Sequence, residues 1–143
     1  MKIINRQARF EYHILDTLEA GIVLTGAEVK SIKNGRIQLS SSFIRIMSGE
    51  AYLINADIPV YEYAKQENYD SKRSRKLLLR KNQLISLSTK LDQQKLTLVP
   101  VSCYTTRGLV KLEIGLGKRK QEKDKREEIR KRDLERETQR ALR

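Results

Sequence analysis

The apolar residues of this chain stop abruptly. They run densely from Phe10 to Leu116, and the 26 residues from Lys118 onward hold twelve Lys/Arg and seven Asp/Glu. The only apolar residues among them are Ile129, Leu134, Ala141 and Leu142. Such a segment cannot supply a packed face to a core, because burying unpaired charges costs more than a few aliphatic side chains contribute. The chain therefore divides into a body, residues 1–117, and a basic tail, residues 118–143. A body of roughly 110 residues is large enough to bury a core of its own.

Within the body, the cleanest alternation is KLTLVPVSCYTT followed by GLVKLEIGLG. Val110, Leu112, Ile114 and Leu116 share one face, with Lys111 and Glu113 opposite, so the two runs form a hairpin turning at Arg107-Gly108. A second hairpin is expected from Phe43 to Met47 and Ala51 to Ile54, turning at Ser48-Gly49, with Pro59 ending regular pairing or confining it to an edge. ARFEYHILDTLEAGIVL gives one or two strands with a turn or bulge near Leu18–Gly21. TGAEVKSIKNG gives a two-turn helix, capped by Thr25 or Gly26 and stopped at Asn34-Gly35. In RKLLLRKNQLISLSTKL, Leu77, Leu84 and Leu91 recur every seven residues, which predicts an amphipathic helix of four or five turns. The first nine residues are read as a loose lead-in. The class is mainly β with helices: a small antiparallel β-barrel of the oligonucleotide-binding (OB-like) type, with two or three packed helices and a charged C-terminal tail.

Catalytic groups are sparse. His13 is the only histidine and Cys103 the only cysteine, so a Cys/His zinc site is unavailable and no metal or cofactor is expected. Cys103 sits on an apolar strand face, and one cysteine fits a reducing cytoplasm. Glu11, Asp16 and Glu19 read as surface acids, and no phosphate-binding glycine loop occurs. No run of 18 apolar residues exists for a membrane span, and MKIINRQARFEY lacks an apolar signal-peptide core.

The net charge of +12 points instead to a polyanion. Residues 71–91 contain seven basic side chains and no acidic one. Six of them, Lys72, Arg73, Arg75, Lys76, Arg80 and Lys81, crowd into ten residues. Cations gain nothing from a helix N-terminus, so phosphate contacts are the better explanation. Tyr61, Tyr63 and Tyr69 lie just upstream, either stacking on bases or packing at the rim of the core. In the tail, Glu122–Arg126, Glu127–Lys131 and Glu128–Arg132 are acid-first i,i+4 pairs that favour helix. Each contributes only about 0.2–0.5 kcal/mol, so an isolated helix is marginal. Arg132, Arg136 and Arg140 form one ridge. Either the tail is a solvated helix, or it is disordered when free and folds along a polyanionic groove. A structural RNA-binding component with a basic extension fits the same composition.

Five stretches in order narrow the choice: NRQARFEY (5–12), EAGIVLTGAEVKSIKNGR (19–36), RSRKLLL (73–79), KLTLVP (95–100) and DKRE (124–127). The chain thereby resembles the SsrA-binding (SmpB) protein family of bacterial trans-translation. The resemblance implies a cytoplasmic, non-enzymatic monomer. It would bind the tRNA-like domain of tmRNA, an RNA that is part tRNA and part message, and deliver it to stalled ribosomes. The tail would enter the empty mRNA channel near the small-subunit decoding centre and become helical there. Carried over by motif, Asn5 and Glu19 fall on positions tied to tmRNA binding. Arg75, Lys76 and Leu77 belong to the RKLLL element, and Lys111 matches a basic position. Asp124, Lys125 and Arg126 match the family's DKR, tied to ribosomal function, and Arg130, Arg132, Arg136 and Arg140 extend that surface. Tyr69-Asp70-Ser71 stands where the family has HDP. The family's GKK falls on residues 119–121, where only Lys120 agrees, or on residues 117–119, which uses Lys118.

Overall fold

The computed structural model describes residues 2–61 and 68–142. Among them one antiparallel sheet of seven strands forms: β1 (Lys2–Ile4), β2 (Tyr12–Ile22), β3 (Phe43–Met47), β4 (Glu50–Ile54), β5 (Arg75–Leu78), β6 (Thr97–Thr106) and β7 (Leu109–Arg119). Their spatial order is β1-β6-β7-β2-β5-β4-β3. The helices are α1 (Arg6–Glu11), α2 (Gly26–Lys33), α3 (Lys81–Gln94) and α4 (Glu122–Ala141). Both expected hairpins form. Their turns, Ser48-Gly49 and Arg107-Gly108, put two consecutive residues at positive φ, the geometry whose twist matches the flanking strands.

The sheet curls until β3 lies beside β6, near its opposite edge. No hydrogen-bonded ladder joins them, so the barrel is OB-like but partly open. Asn5 fastens that seam. Its Nδ2 donates to Leu39 O (3.2 Å), just ahead of β3, and to Pro100 O (2.8 Å) in β6. Ile32 from α2, Leu53, Leu77, Leu112 and Ile114 fill the interior, and α3 lays Leu84 and Leu87 on the same core. A second cluster lies on the outer face, where Ala8 of α1 packs with Val99 and Val101 against Tyr12 and Ile14. Gly115 makes this approach possible: a Cβ there would sit 2.6 Å from Val101 Cγ2.

Four expectations change. The lead-in is ordered: residues 2–4 pair with β6, and Asn5 caps α1 by accepting from the Ala8 amide at 3.3 Å. The expected strand around Phe10 is helix α1, so β2 starts only at Tyr12, and its bulge lies between Ile14 and Asp16, ahead of the expected place. The RKLLL segment is strand rather than helix, and α3 begins only at Lys81. Finally, β7 runs two residues past the expected boundary, to Arg119, because its edge still pairs with β2 through Tyr12. Replacing Gly115 with alanine should lower stability by about 1–3 kcal/mol, as overpacking of a tight site does. The urea unfolding midpoint reads this directly.

Candidate nucleic-acid interface

The local chemistry starts at the entrance to α2. Thr25 Oγ1 accepts from the Glu28 amide (3.2 Å), and the Glu28 carboxylate accepts from the Thr25 amide (2.9 Å). The same carboxylate is buried and gathers two arginines. Arg75 donates to it through Nε (2.8 Å) and Nη2 (2.5 Å), and Arg73 Nη2 reaches its other oxygen. Arg75 also donates to Ala56 O (2.7 Å) and Ser71 O (3.0 Å). The Tyr69 hydroxyl sits 2.7 Å from Ile58 O. Burial pushes Glu28 toward a higher pKa, but the Thr25 amide, Arg75 and Arg73 outweigh it and hold the carboxyl below its usual range. Tyr69 is pushed up, by burial first and then by Glu28.

These bonds relocate three of the sequence-derived contacts. Arg75 is fully buried with its guanidinium committed to Glu28 and backbone carbonyls, so it faces the interior rather than a phosphate. Leu77 is core, and Asn5 spends its side chain on the barrel seam and the α1 cap. Period two explains the split: Arg75 and Leu77 point in, while Lys76 and Leu78 point out.

The outward set is coherent. Gly21 faces Lys111 on β7 and Leu78 on β5, so Lys111, Gly21 and Leu78 form one row across three strands. Leu78 overhangs Gly21: a Cβ there would meet Leu78 Cδ1 at 3.3 Å. Glu19, Leu79, Arg80 and Gln83 complete a shallow cleft around that row. Lys76 lies beside it, 3.6 Å from Glu50 with both side chains exposed. Lys72 is exposed, and Arg73 is about two-fifths exposed with one end on Glu28. Of the tyrosines, Tyr61 lies under Lys30 Nζ (5.5 Å), Tyr69 belongs to the Glu28 network, and Tyr63 lies outside the described residues. Arg80 and Gln83 carried little signal individually. They come to the cleft because the strand-to-helix step after Leu78 turns α3 across the sheet.

The tail residues form a separate surface. Lys118, the next-to-last residue of β7, stands opposite His13, exposed. Lys120 is a clamp: its ammonium donates to Arg9 O (3.0 Å) and Glu128 (2.5 Å), and Glu128 is pushed down chiefly by that bond. Asp124 caps α4 through the Gln121 amide (3.2 Å) and meets His13 Nε2 at 3.4 Å. These two partners, His13 first, hold its carboxyl below the usual range. Lys125 and Arg132 stand over the Phe10 ring at 5.9 and 5.8 Å. Arg6, Arg9, Ile129, Arg132 and Arg136 surround that ring in an open cleft. No residue of α4 is buried, and Arg126, Arg130, Arg136 and Arg140 face solvent.

A partly open antiparallel barrel, a basic outer cleft and an appended charged helix define a small polyanion-binding protein of the OB-like class. The SmpB protein family profile matches residues 2–143. The chain is 46% identical over 138 residues to the SsrA-binding protein of Streptococcus pyogenes serotype M49 (strain NZ131), covering 96% of this chain and 89% of that one. It is 45% identical over 139 residues to the SsrA-binding protein of Desulfitobacterium hafniense (strain DSM 10664 / DCB-2), covering 97% and 89%. A solved chain reported under "tmRNA-SmpB: a journey to the center of the bacterial ribosome" shares its fold, with a TM-score of 0.70, 44% identity, and coverage of 90% and 94%. The chain belongs to the SmpB family.

Replacing Glu28 with alanine leaves Arg75 buried without its counter-ion. The expected loss is about 3–5 kcal/mol, measured by urea unfolding. Because Glu28 is depressed in the folded state, its contribution is present above the pKa of the unfolded glutamate and is lost as pH falls through the lower, folded value. Stability of the parent protein should therefore drop on acidification below the usual glutamate range, and the Glu28→Ala variant should lack that component.

Proposed function

We propose that this protein is an RNA-binding adaptor of trans-translation. Its barrel binds the tRNA-like domain of tmRNA, and it carries that RNA to ribosomes stalled on messages without a stop codon. The observation that carries this reading is the match, across almost the whole chain, to SsrA-binding proteins and to a chain solved as tmRNA-SmpB on the bacterial ribosome. The outer cleft with Lys111 and Arg80, together with Lys76 on the outward side of β5, supplies the basic surface such a partner requires. Lys72 and the free end of Arg73 extend it, and Lys118, opposite His13 near the far end of β7, is a separate basic contact. Glu19 is the acceptor within it, and Asn5, Arg75 and Leu77 shape it from below.

The tail serves the second partner. Asp124, Lys125 and Arg126 begin α4 at the body, while Arg130, Arg132, Arg136 and Arg140 project along it toward the empty mRNA channel near the decoding centre. Lys120 sets the angle at which the helix leaves the barrel. Away from the ribosome, the helix beyond the Lys120–Glu128 clamp has no buried contact to hold it, so we read it as frayed in solution and ordered in the channel. The adaptor works as a monomer in the cytoplasm and without catalysis. Among the described residues no helix is long and apolar enough to cross a membrane. The Cys103 thiol is buried and pushed up to about 12 by that burial, so it is no nucleophile.

Two outcomes test this. A chain ending at Arg119 keeps β7 intact, so it should bind the tRNA-like domain within a few-fold of full length yet support no tagging in a stalled-ribosome assay. Normal tagging by that chain would refute the division of labour. Lys76→Glu and Lys111→Glu should each weaken RNA binding and reduce the slope of log K against log[salt] by about 1 for every phosphate no longer neutralised. An unchanged slope would remove that residue from the interface.

A further inference from the structure

The outer face carries a carboxylate pair that its charge does not explain. Glu19 on β2 stands directly opposite Glu113 on β7, within a basic surface. Like charges in that register are unfavourable. Glu113 is compensated: Arg9 Nη2 lies 3.7 Å from its carboxylate, and Ser102 Oγ donates to it at 3.4 Å. Glu19 is exposed and has no Lys or Arg within ion-pair distance among the described residues. Its partner is neutral. Tyr104 on β6, which faces Lys111, reaches across the whole width of β7 and donates its hydroxyl hydrogen to Glu19 Oε2. Burial, and then the Glu19 carboxylate, push Tyr104 up to about 12, so the phenol stays a donor at neutral pH.

A guanidinium would neutralise Glu19 and take up both oxygens. One phenol takes a single lone pair, leaves the charge in place and, among the described residues, leaves Oε1 open at the edge of the cleft beside Lys111 and Gly21. Resting on the RNA-binding reading of this face, we infer that Tyr104 is a positioning residue. It aims Glu19 so that the free oxygen accepts a hydrogen bond from an N–H or O–H donor of a nucleotide, while Lys111 takes a neighbouring phosphate. A phosphate cannot pair with Glu19, so the carboxylate contributes selection for a donor group at that point rather than general attraction to a polyanion.

The test is a double-mutant cycle on binding of a transcribed tRNA-like domain, measured over a range of salt. Tyr104→Phe keeps the ring and removes the donor. It should weaken binding about three- to tenfold, the usual range for one hydrogen bond, with the salt slope unchanged, since every phosphate keeps its cation. In a Glu19→Ala background the same change should have no further effect, because nothing is left to aim. Comparing Tyr104→Phe with the parent and Glu19→Ala with the double variant cancels any stability cost that the tyrosine change carries by itself. Parental affinity in Tyr104→Phe, parental affinity in Glu19→Ala, or a full Tyr104→Phe loss without Glu19 would each overturn the assignment. Failure of the parent protein to bind the domain would instead overturn the proposed function, and this inference with it. Among donors, a tRNA-like domain carrying 2′-deoxyriboses separates sources. A Tyr104-dependent loss that vanishes on that RNA identifies a 2′-hydroxyl, and one that persists identifies a base.

Discussion

The buried bond between Glu28 and Arg75 joins three pieces of chain that are far apart in sequence. Glu28 ends the first turn of α2, Arg75 opens β5, and the carbonyls of Ala56 and Ser71 lie on the connection between β4 and β5. Each charge would be costly alone in this interior, and each is satisfied only when all three pieces are in place. The pair therefore specifies geometry more than it adds net stability. It fixes the position of β5 in the sheet, and period two then decides that Lys76 and Leu78 emerge on the outer face. The basic cleft is in this sense a consequence of a buried acid.

That arrangement explains where sequence reasoning succeeded and failed. The hairpins, α2 and its cap, and the change of character after Leu116 were legible because local pattern and global fold agree there. RKLLL was misread because Leu77, Leu84 and Leu91 mimic a heptad. Leu84 and Leu91 do share a helix face, but Leu77 reaches the same core from a strand, and three leucines cannot distinguish these cases. An arginine at the strand's inward position deepened the error, since a buried Arg reads as a surface cation until its carboxylate is found 47 residues away. The lead-in was missed for a similar reason. Residues 2–4 are held by β6 and Asn5 by Leu39 and Pro100, partners that no local window contains.

The candidate site was legible in composition and in its motifs, but less so in its roles. Lys72, Lys76, Lys111 and the tail arginines do lie at the surface. Asn5, Arg75 and Leu77 belong to the scaffold beneath it. Lys120 precedes the tail helix and Asp124 caps its first turn, so neither projects from its length. Arg9 and His13 tie the tail's first turns to α1 and β2, and Glu128 locks Lys120 onto the helix, while the helix's remaining length is bare of buried contacts. A charged helix held at one end has a defined exit direction and a free surface, which is what an element entering a polyanionic channel requires.

On the proposed function, structured RNA sits on the outer face of β2, β5, β6 and β7, with α4 left free for another partner. Photo-crosslinking of the full chain to the tRNA-like domain of tmRNA, with the linked peptides mapped by mass spectrometry, tests it most directly. Links are expected at Leu78, Arg80, Tyr104 and Lys111, and few along residues 130–142. Links confined to the tail, or to the opposite side of the barrel, would contradict it.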